Sequence, residues 1–443
     1  MAHGFAGTVL RRGDEGYEAA RRDTMWNAFV PDRHPDVIVQ AVTEQDAVSA
    51  VRLARDEGLK IGVRSGGHSW AGNHVRDGGL LLDLSRLDEV TLDVAARTAT
   101  LQPGKKGNAL LDDLEPHGLF FPAGHCVGVG LGGYLLQGGY GWNGRVHGPA
   151  CMSVTAIDVV TADGELVRAS ANEHPDLFWA ARGSGPGFFG VVTRFHVKLY
   201  ERPSHITNSV SLYAMEHLEA VFRWAASIGP DVERTMELMV FIHRDALGEP
   251  EIAVTGPVLA YSQEEADRVA SILATCPAPA KMQLTGIPVT MNDLYAGAHA
   301  AYPDEHRYAV DNMWTHAPID DLLPGLQDIA DGLPGGTSHM LWMNWGPCLP
   351  ERPDMAYSME DQTYIALYAV WEDAAEDEAC IAWATENMRA MNASASGIQL
   401  ADENLGRRPA RFVSDDHLAR LDAVRAVYDP AGLFHPWMGR IDA

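Results

Sequence analysis

The sequence is poor in basic residues and in cysteine. Its 443 residues include 34 Lys and Arg against 60 Asp and Glu, which gives a formal net charge of −26. A chain of this charge repels polyanions, so neither nucleic acid nor an anionic lipid surface is expected as a partner. The five cysteines, at positions 126, 151, 276, 348 and 380, are odd in number and show no CxxC spacing. Neither a disulfide framework nor a zinc cage is therefore predicted.

Long apolar runs are missing as well. The first thirty residues contain no apolar stretch of signal-peptide length, and no later stretch is apolar enough to span a bilayer. We therefore expect a soluble, cytoplasmic protein, monomeric or a small homo-oligomer, with no membrane partner. The histidines form no HExxH motif and no pair spaced by four residues, so no metal site is predicted.

The sequence contains two regions that differ in their pattern of helix-like and strand-like runs. Residues 35–200 alternate strand-like and helix-like runs with glycine turns between them, and one helix is predicted from the N-cap Thr43 to Gly58. After about residue 203, amphipathic helices alternate with strand-like runs that carry Trp and Met. This second pattern predicts an antiparallel sheet backed by helices. A further helix is predicted after residue 412.

The run RSGGHS at residues 64–69 leads from a predicted strand into consecutive glycines. Without Cβ atoms, such a turn lets successive backbone N–H groups approach and cradle a diphosphate. The alternative interpretation is an ordinary turn at the end of a strand with a surface histidine. This run by itself does not distinguish the two.

A second glycine-rich run favours the ligand interpretation. Eight glycines stand between Gly124 and Gly141. Each glycine costs about 0.5–1 kcal/mol relative to alanine in a regular element, so irregular backbone lying against a ligand is predicted here. Gly128-x-Gly130-x-x-Gly133 spells a dinucleotide fingerprint, but no strand-turn-helix unit opens there. A nicotinamide-dependent dehydrogenase of the Rossmann type is therefore disfavoured.

Together these runs resemble the FAD-binding half of the vanillyl-alcohol-oxidase superfamily (PCMH type), within its berberine-bridge-enzyme-like branch. Further matches are DLS at residues 83–85, the predicted hairpin DVVTADG at residues 158–164, and YDP at residues 428–430. The likeness covers about residues 35–200 and the last thirty.

The resemblance implies an α+β fold with a divided FAD-binding domain. Residues 1–202 and 412–443 would form the two parts of that domain. Residues 203–411 would form an inserted substrate domain of antiparallel sheet backed by helices.

The resemblance also implies how FAD is held. In that family the RSGGH histidine bonds the flavin 8α-methyl group, which matches His68, and the cysteine of the GxC motif bonds the flavin 6-position, which matches Cys126. A buried structural thiol is the alternative for Cys126. The expected cofactor-binding residues are Arg64, Ser65, Gly66, Gly67, His68, Ser69, Cys126, Val129, Gly130, Gly132, Gly133, Tyr134, Gly138, Gly139, Gly141, Trp142, Gly190, Val191, Val192 and Trp437.

The catalytic base is where the chain departs from the family. An aromatic pair, often with a catalytic tyrosine, commonly precedes the C-terminal helix, whereas this chain has FVSDD at residues 412–416. We expect the base to be one of Tyr308, Tyr364, Asp416 and His417. Capping of a helix N-terminus is the alternative role for the acidic pair after Ser414. Trp314, His316, Trp342, Trp345 and Tyr364 are candidate substrate contacts, or simply core.

The implied function is that of an FAD-dependent oxidase. It would remove a hydride from an organic alcohol, sugar, amine or phenol and pass the electrons to O2, giving H2O2. Val129 matches the small residue that admits oxygen in this family. Two alternatives remain, a dehydrogenase of the same fold that uses an organic electron acceptor and a non-catalytic flavin-binding protein.

Overall fold

The computed structural model describes residues 4–346 and 352–440. The first sheet is built from β1 (Thr8–Arg11), β2 (Val37–Gln40), β3 (Ile61–Arg64) and β4 (Leu80–Asp83). Its strand order is β1–β2–β4–β3, with β2, β4 and β3 parallel. The apolar runs of β2 and β4 are buried throughout, as parallel strands covered on both faces require. The 64–69 turn leaves this sheet at the carboxyl end of β3.

The second sheet follows directly in the chain. Its strands are β5 (Val90–Asp93), β6 (Thr98–Leu101), β8 (Val154–Val160), β9 (Leu166–Ser170) and β10 (Val191–Lys198), while β7 (Leu119–Phe120) pairs with β11 (Tyr200–Glu201). The order is β5–β6–β10–β8–β9. The hairpin predicted within residues 158–164 is confirmed, with Gly164 in the left-handed conformation that its turn needs.

The helices of this half are short. They are α1 (Tyr17–Asp23), α2 (Glu44–Glu57), α3 (Gly107–Leu114), α4 (Leu131–Leu136), α5 (Gly144–His147) and α6 (Pro175–Ala180). The predicted caps of α2 are confirmed, since Thr43 accepts from the Asp46 backbone and Gly58 is left-handed. The prediction of irregular backbone throughout 124–141 is wrong for α4. A Cβ on Gly132 would lie 2.8 Å from both Pro103 Cβ and Ser65 Oγ, so close packing rather than turn geometry requires that glycine.

The third sheet occupies the middle of the chain, and its strands are antiparallel. They are β12 (His205–Ala214), β13 (Met239–Arg244), β14 (Pro250–Thr255), β15 (Val258–Ala260), β16 (Met282–Pro288), β17 (Arg307–Thr315), β18 (His339–Asn344) and β19 (Thr363–Trp371). The order is β15–β12–β14–β13–β18–β19–β17, and β16 also pairs with β12. The sequence prediction of an antiparallel sheet is confirmed.

Four helices cover one face of the third sheet. They are α7 (Leu218–Ile228), α8 (Gln263–Ala270), α10 (Ile319–Asp331) and α11 (Asp377–Ala390), whereas α9 (Met291–Ala301) packs Leu294 and Tyr295 into the core of the N-terminal half. Along β19, Ile365 and Leu367 belong to the core shared with these helices, whereas Tyr364 and Tyr368 belong to an aromatic cluster on the opposite side. Because side chains alternate between the two faces of a strand, the tyrosines of β19 face away from the helices.

The C-terminal segment returns to the first sheet. The predicted helix is present as α12 (Asp415–Tyr428), and Phe434 then bridges Ile61 of β3 in parallel. Asp429 accepts from the backbone of Leu433 and Phe434 and fixes the turn between them. The exact boundaries at residues 202 and 411 stay predictions. Within the two described ranges, each helix is too short or too polar to cross a membrane.

Candidate active site

A cavity of about 870 Å³ lies between the glycine-rich loops and the third sheet. Of the residues expected to bind the cofactor, those that line it are Arg64, Ser65, Gly66, Gly67, His68, Ser69, Cys126, Val129, Gly130, Gly132, Gly133, Tyr134, Trp142, Gly190 and Val192. The remaining ones, Gly138, Gly139, Gly141, Val191 and Trp437, lie outside the lining and pack behind it. Gly139, for example, leaves room for the ring of Tyr134.

The two glycine loops interlock at one wall of the cavity. A Cβ on Gly66 would lie 2.4 Å from the Gly130 nitrogen, and a Cβ on Gly130 would lie 2.6 Å from the Gly66 Cα. Ser65 Oγ accepts from the Gly133 backbone at 3.1 Å. The wall is therefore mostly backbone, which a diphosphate can approach closely.

Positive charge lies beside this wall. Lys106 Nζ is 3.4 Å from the Gly66 carbonyl oxygen, and burial lowers the pKa of Lys106 to about 8. Arg64 lines the cavity itself, but its guanidinium is held by Asp83 at 2.7 Å, whereas Lys106 lies outside the lining. A bound diphosphate would offset the cost of burying the lysine.

His68 stands where the two loops meet. Its Nε2 is buried and has no hydrogen-bond partner among the residues that the structure describes. The Trp26 ring stacks on the imidazole, with ring centroids 4.3 Å apart and an interplanar angle of 18°. Burial first, and then the charge of Lys106, lower the pKa of His68 to about 3. The imidazole is therefore neutral at neutral pH and has a nitrogen free to form a bond.

Cys126 lines the same cavity as a free thiol. Its neighbour His125 donates to Glu237 at 2.7 Å, and Glu237 also accepts from the Asn143 backbone at 2.7 Å, which ties the loop to the third sheet. Burial raises the pKa of the Cys126 thiol to about 12. The thiol is therefore protonated at neutral pH, and bond formation there has to remove its proton.

A buried carboxylate faces this wall from the opposite side. Asp402 lines the cavity, and both of its oxygens accept hydrogen bonds. Trp70 Nε1 donates to Oδ1 at 2.6 Å, Tyr368 donates to Oδ2 at 2.8 Å, and Tyr364 donates to Oδ2 as well. Each tyrosine oxygen keeps lone pairs that can accept from a bound molecule.

Burial raises the pKa values of Asp402 and of the two tyrosines that donate to it. It raises the pKa of Asp402, more than the three hydrogen bonds lower it. It also raises the pKa of Tyr364 and of Tyr368, with the Asp402 charge acting in the same direction. A carboxylate with a raised pKa is a proton acceptor suited to work nearer neutral pH.

The segment that carries Asp402 is fixed to β17. Asn312 is fully buried, donates to the Asp402 carbonyl oxygen at 2.7 Å and accepts from the Gln399 backbone at 2.7 Å. Arg408 forms a buried ion pair with Asp311 at 2.5 Å. These contacts set the position of the carboxylate before any ligand binds.

The predicted base candidates are not brought together. Tyr364 lines the cavity and contacts Asp402. Tyr308 lies outside the lining and donates to the Pro303 carbonyl oxygen. Asp416 stands in the first turn of α12, and His417 contacts the Ala356 carbonyl oxygen, both outside the lining. Among the candidate substrate contacts, Trp314 and Trp345 line the cavity, whereas Trp342 packs on the helix side and His316 is exposed.

Comparisons with known proteins agree with this arrangement. Residues 35–170 match the family model described as FAD binding domain. The chain is 33% identical over 426 residues to FAD-linked oxidoreductase ptmO of Penicillium ochrochloron, covering 96% of this chain and 94% of that protein. This chain belongs to the FAD-linked oxidoreductases.

Solved structures show the same fold for this FAD-linked oxidoreductase. The crystal structure of 6-hydroxy-D-nicotine oxidase from Arthrobacter nicotinovorans superposes with a TM-score of 0.85 at 22% identity, covering 100% of this chain and 99% of that chain. BBE-like 1 of Physcomitrella patens gives 0.83 at 19% identity, covering 97% and 96%. The predicted fold class and the prediction of an FAD enzyme are confirmed.

The sequence prediction missed several residues that the structure places in or beside the candidate site. Asp402 lies in no motif, and Tyr368 was not singled out although its spacing from Tyr364 puts both on one face of a predicted strand. Trp70 directly follows the first glycine run and was given no role. Trp26 gives no sequence signal, because its stacking on His68 arises from tertiary packing. The described residues contain no group of side chains arranged to hold a metal ion.

Proposed function

We propose that this enzyme is an oxidase that holds FAD covalently through His68 and Cys126 and oxidises an organic molecule with a reacting hydroxyl group. The observation that carries the proposal is one cavity lined by both side chains and by Asp402. The buried, unpartnered Nε2 of His68 supports the covalent link, since an unpaired polar atom is costly unless it has another use.

Different residues of the chain would bind the cofactor and accept the substrate proton. The interlocked loops at Gly66 and Gly130 would hold the diphosphate, with Lys106 supplying positive charge. FAD, when bound, supplies a two-electron acceptor for the substrate hydride. The protein has to orient the substrate carbon and accept the hydroxyl proton.

Tyr364 and Asp402 are the proposed proton acceptors. The substrate hydroxyl donates to the free lone pair of the Tyr364 oxygen, while the Tyr364 proton is already directed at Asp402. As the substrate loses its hydride, its hydroxyl proton moves to Tyr364 and the tyrosine proton moves to the carboxylate. Tyr368 donates to the same carboxylate oxygen and limits its rotation. Removal of a positioned base typically costs about 100-fold to 10,000-fold in rate.

Oxygen is the proposed final acceptor. Val129 is a half-buried side chain of the cavity wall, and its small size supports access of O2 along this wall. The balanced reaction converts an alcohol and O2 into a carbonyl compound and H2O2. In this reaction the alcohol loses two electrons and two protons, and oxygen gains both.

An oxygen electrode tests the oxidase proposal. Purified enzyme is supplied with a panel of primary and secondary alcohols, and O2 uptake and H2O2 are measured together. We expect one H2O2 for each O2 consumed with at least one alcohol. Reduction of a quinone dye without O2 uptake would identify a dehydrogenase, and an unchanged flavin spectrum with every alcohol would support a non-catalytic flavin-binding protein.

A further inference from the structure

The third sheet presents an apolar wall to the cavity. Met239 and Phe241 of β13 and Leu341 and Met343 of β18 all line it. These strands are neighbours, with Phe241 paired to Leu341 and Met239 to Met343. The four side chains therefore form one continuous patch, which is called the apolar wall below.

Aromatic rings extend the apolar wall towards Asp402. His339 stacks on Tyr368 at 5.0 Å with an interplanar angle of 24°, and Phe241 lies 5.8 Å from His339. On the other side, the Trp314 ring lies 4.9 Å from Tyr364. A ligand next to the carboxylate thus meets flat aromatic surfaces, which favour offset or edge contacts with another ring.

Several polar atoms of this side already have partners within the protein, although the buried Trp314 Nε1 has none among the described residues. His339 Nδ1 contacts the Thr337 carbonyl oxygen at 2.8 Å, and Nε2 contacts the Tyr302 hydroxyl at 3.0 Å. Trp345 Nε1 donates to Glu360 at 2.8 Å. A sugar would bury many hydroxyl groups against a wall with few free partners, and each hydroxyl left unpaired would weaken its binding.

Charged groups on this side are also compensated or neutral. Arg244 lines the mouth of the cavity, but it donates to the carbonyl oxygens of Leu333, Pro334 and Gly248 at 2.7, 2.9 and 2.8 Å. Burial lowers the pKa of His339 to about 4, so its ring is neutral near pH 7. The wall thus lacks a free cation for an anionic substrate within the residues described.

A cationic amine is also poorly matched. Both Asp402 oxygens are already occupied by Trp70, Tyr364 and Tyr368. One lone pair of Oδ1 is left for a further donor, but an ammonium group would have to lose its hydration in this buried site to reach it. A neutral hydroxyl loses less hydration when it meets the outer lone pair of a tyrosine.

We propose that the substrate is an uncharged, largely apolar, ring-bearing alcohol, whose ring packs on the apolar wall and whose hydroxyl reaches Tyr364. This inference rests on the proposed function, because it places the reacting hydroxyl at Tyr364 and Asp402. It excludes free sugars, carboxylates and protonated amines as good ligands.

A matched series of probes tests the inference. The holoenzyme is titrated without oxygen with 2-naphthalenemethanol, 2-naphthylmethylamine, 2-naphthoate and cellobiose, and the flavin absorbance reports binding. We expect the alcohol to bind at least about tenfold more tightly than the other three, because it alone combines a buried apolar ring with an uncharged hydroxyl. Equal or tighter binding of cellobiose or of either charged naphthalene would overturn the inference, as would no binding of the alcohol.

Two leucine variants locate the binding surface. Leu341→Asn places an amide in the apolar wall and should weaken binding of 2-naphthalenemethanol about tenfold. Leu284→Asn changes an exposed leucine of β16 outside the cavity lining and should leave binding unchanged. Phe241→Ser repeats the test if Leu341→Asn does not fold. Equal affinity in folded wall variants and in Leu284→Asn would place the ligand elsewhere.

The two proposals can fail separately. Bleaching of the flavin by an alcohol reports the proposed reaction, whereas the order of affinities reports the substrate class. Bleaching by cellobiose with weak binding of the naphthalene alcohol would keep the oxidase and overturn the apolar substrate. Tight binding of the naphthalene alcohol without bleaching by any alcohol would support the apolar site and overturn the oxidase.

Discussion

The two walls of the cavity are built on different principles. The loop wall, with Gly66, Gly130 and His68, comes from two short, continuous runs of sequence and presents mostly backbone. The sheet wall, with Tyr364 and Asp402, is made of side chains from distant parts of the chain. A loop that binds through its backbone needs glycine at particular positions, whereas a wall of side chains can be assembled from many sequences. This difference is what the proposed function requires, with the loop wall binding the cofactor and the sheet wall binding a particular substrate.

The largest expected effect separates the two walls by function. Asp402→Asn and Tyr364→Phe should each lower the rate of anaerobic flavin reduction about 100-fold or more, because proton removal loses its acceptor. The content of covalent flavin should stay normal, because the loop wall is untouched. Stopped-flow absorbance measures the rate. Tyr308→Phe, a tyrosine outside the lining, is the matched control, and a comparable loss there would refute the assignment.

The pH dependence of flavin reduction tests whether Asp402 of the sheet wall accepts the proton. Burial raises the pKa of Asp402, and a protonated Asp402 cannot accept a proton. The rate of flavin reduction should therefore fall as the pH falls through this raised pKa, by about tenfold for each pH unit below it. The fall should begin at a higher pH than for an exposed aspartate. A rate that stays constant down to the ordinary pKa of aspartate would contradict the proton transfer to Asp402.

Variants of Trp26 test whether its stacking on His68 promotes covalent attachment of the flavin. In a Cys126→Ala background, Trp26→Ala should lower the fraction of covalently bound flavin about 2- to 10-fold, because a ring pair contributes about 0.5–1.5 kcal/mol to holding His68. Trp26→Phe keeps a ring and should restore attachment. The same variant loses the hydrogen bond to Asp304, so it also separates stacking from that contact. Flavin fluorescence of the denatured protein band gives the fraction, and equal attachment in all three proteins would remove Trp26 from this role.

The smallest expected effect concerns oxygen. Val129→Ile adds one methylene group to the loop wall and should slow reoxidation of the reduced enzyme several-fold by steric obstruction. Flavin reduction by substrate should stay nearly unchanged. Stopped-flow mixing of reduced enzyme with oxygenated buffer measures the first rate. Identical reoxidation in both proteins would show that oxygen does not pass Val129.

The sequence predicted the loop wall far better than the sheet wall. RSGGH and the second glycine run could be identified because each is continuous, and the fold class followed from the resemblance that they carry. The helix at Leu131–Leu136 was missed, since packing against Ser65 and Pro103 outweighs the helix cost of its glycines.

The site on the sheet wall depends on contacts that no local pattern encodes. Trp70 and Asp402 are 332 residues apart in the chain and meet through one hydrogen bond of 2.6 Å. Asn312 and Arg408 fix the Asp402 segment, again across long separations. The tyrosine spacing on β19 was a usable signal, but the acidic partner of those tyrosines could be found only in the folded structure.

Acid precipitation of the purified protein tests the central claim most directly. If His68 and Cys126 both bond the flavin, the pellet of the unaltered protein stays yellow, as do the pellets of His68→Ala and Cys126→Ala. The double variant should release all its FAD to the supernatant. A colourless pellet from the unaltered protein would contradict covalent attachment altogether, and release from either single variant would show one link instead of two.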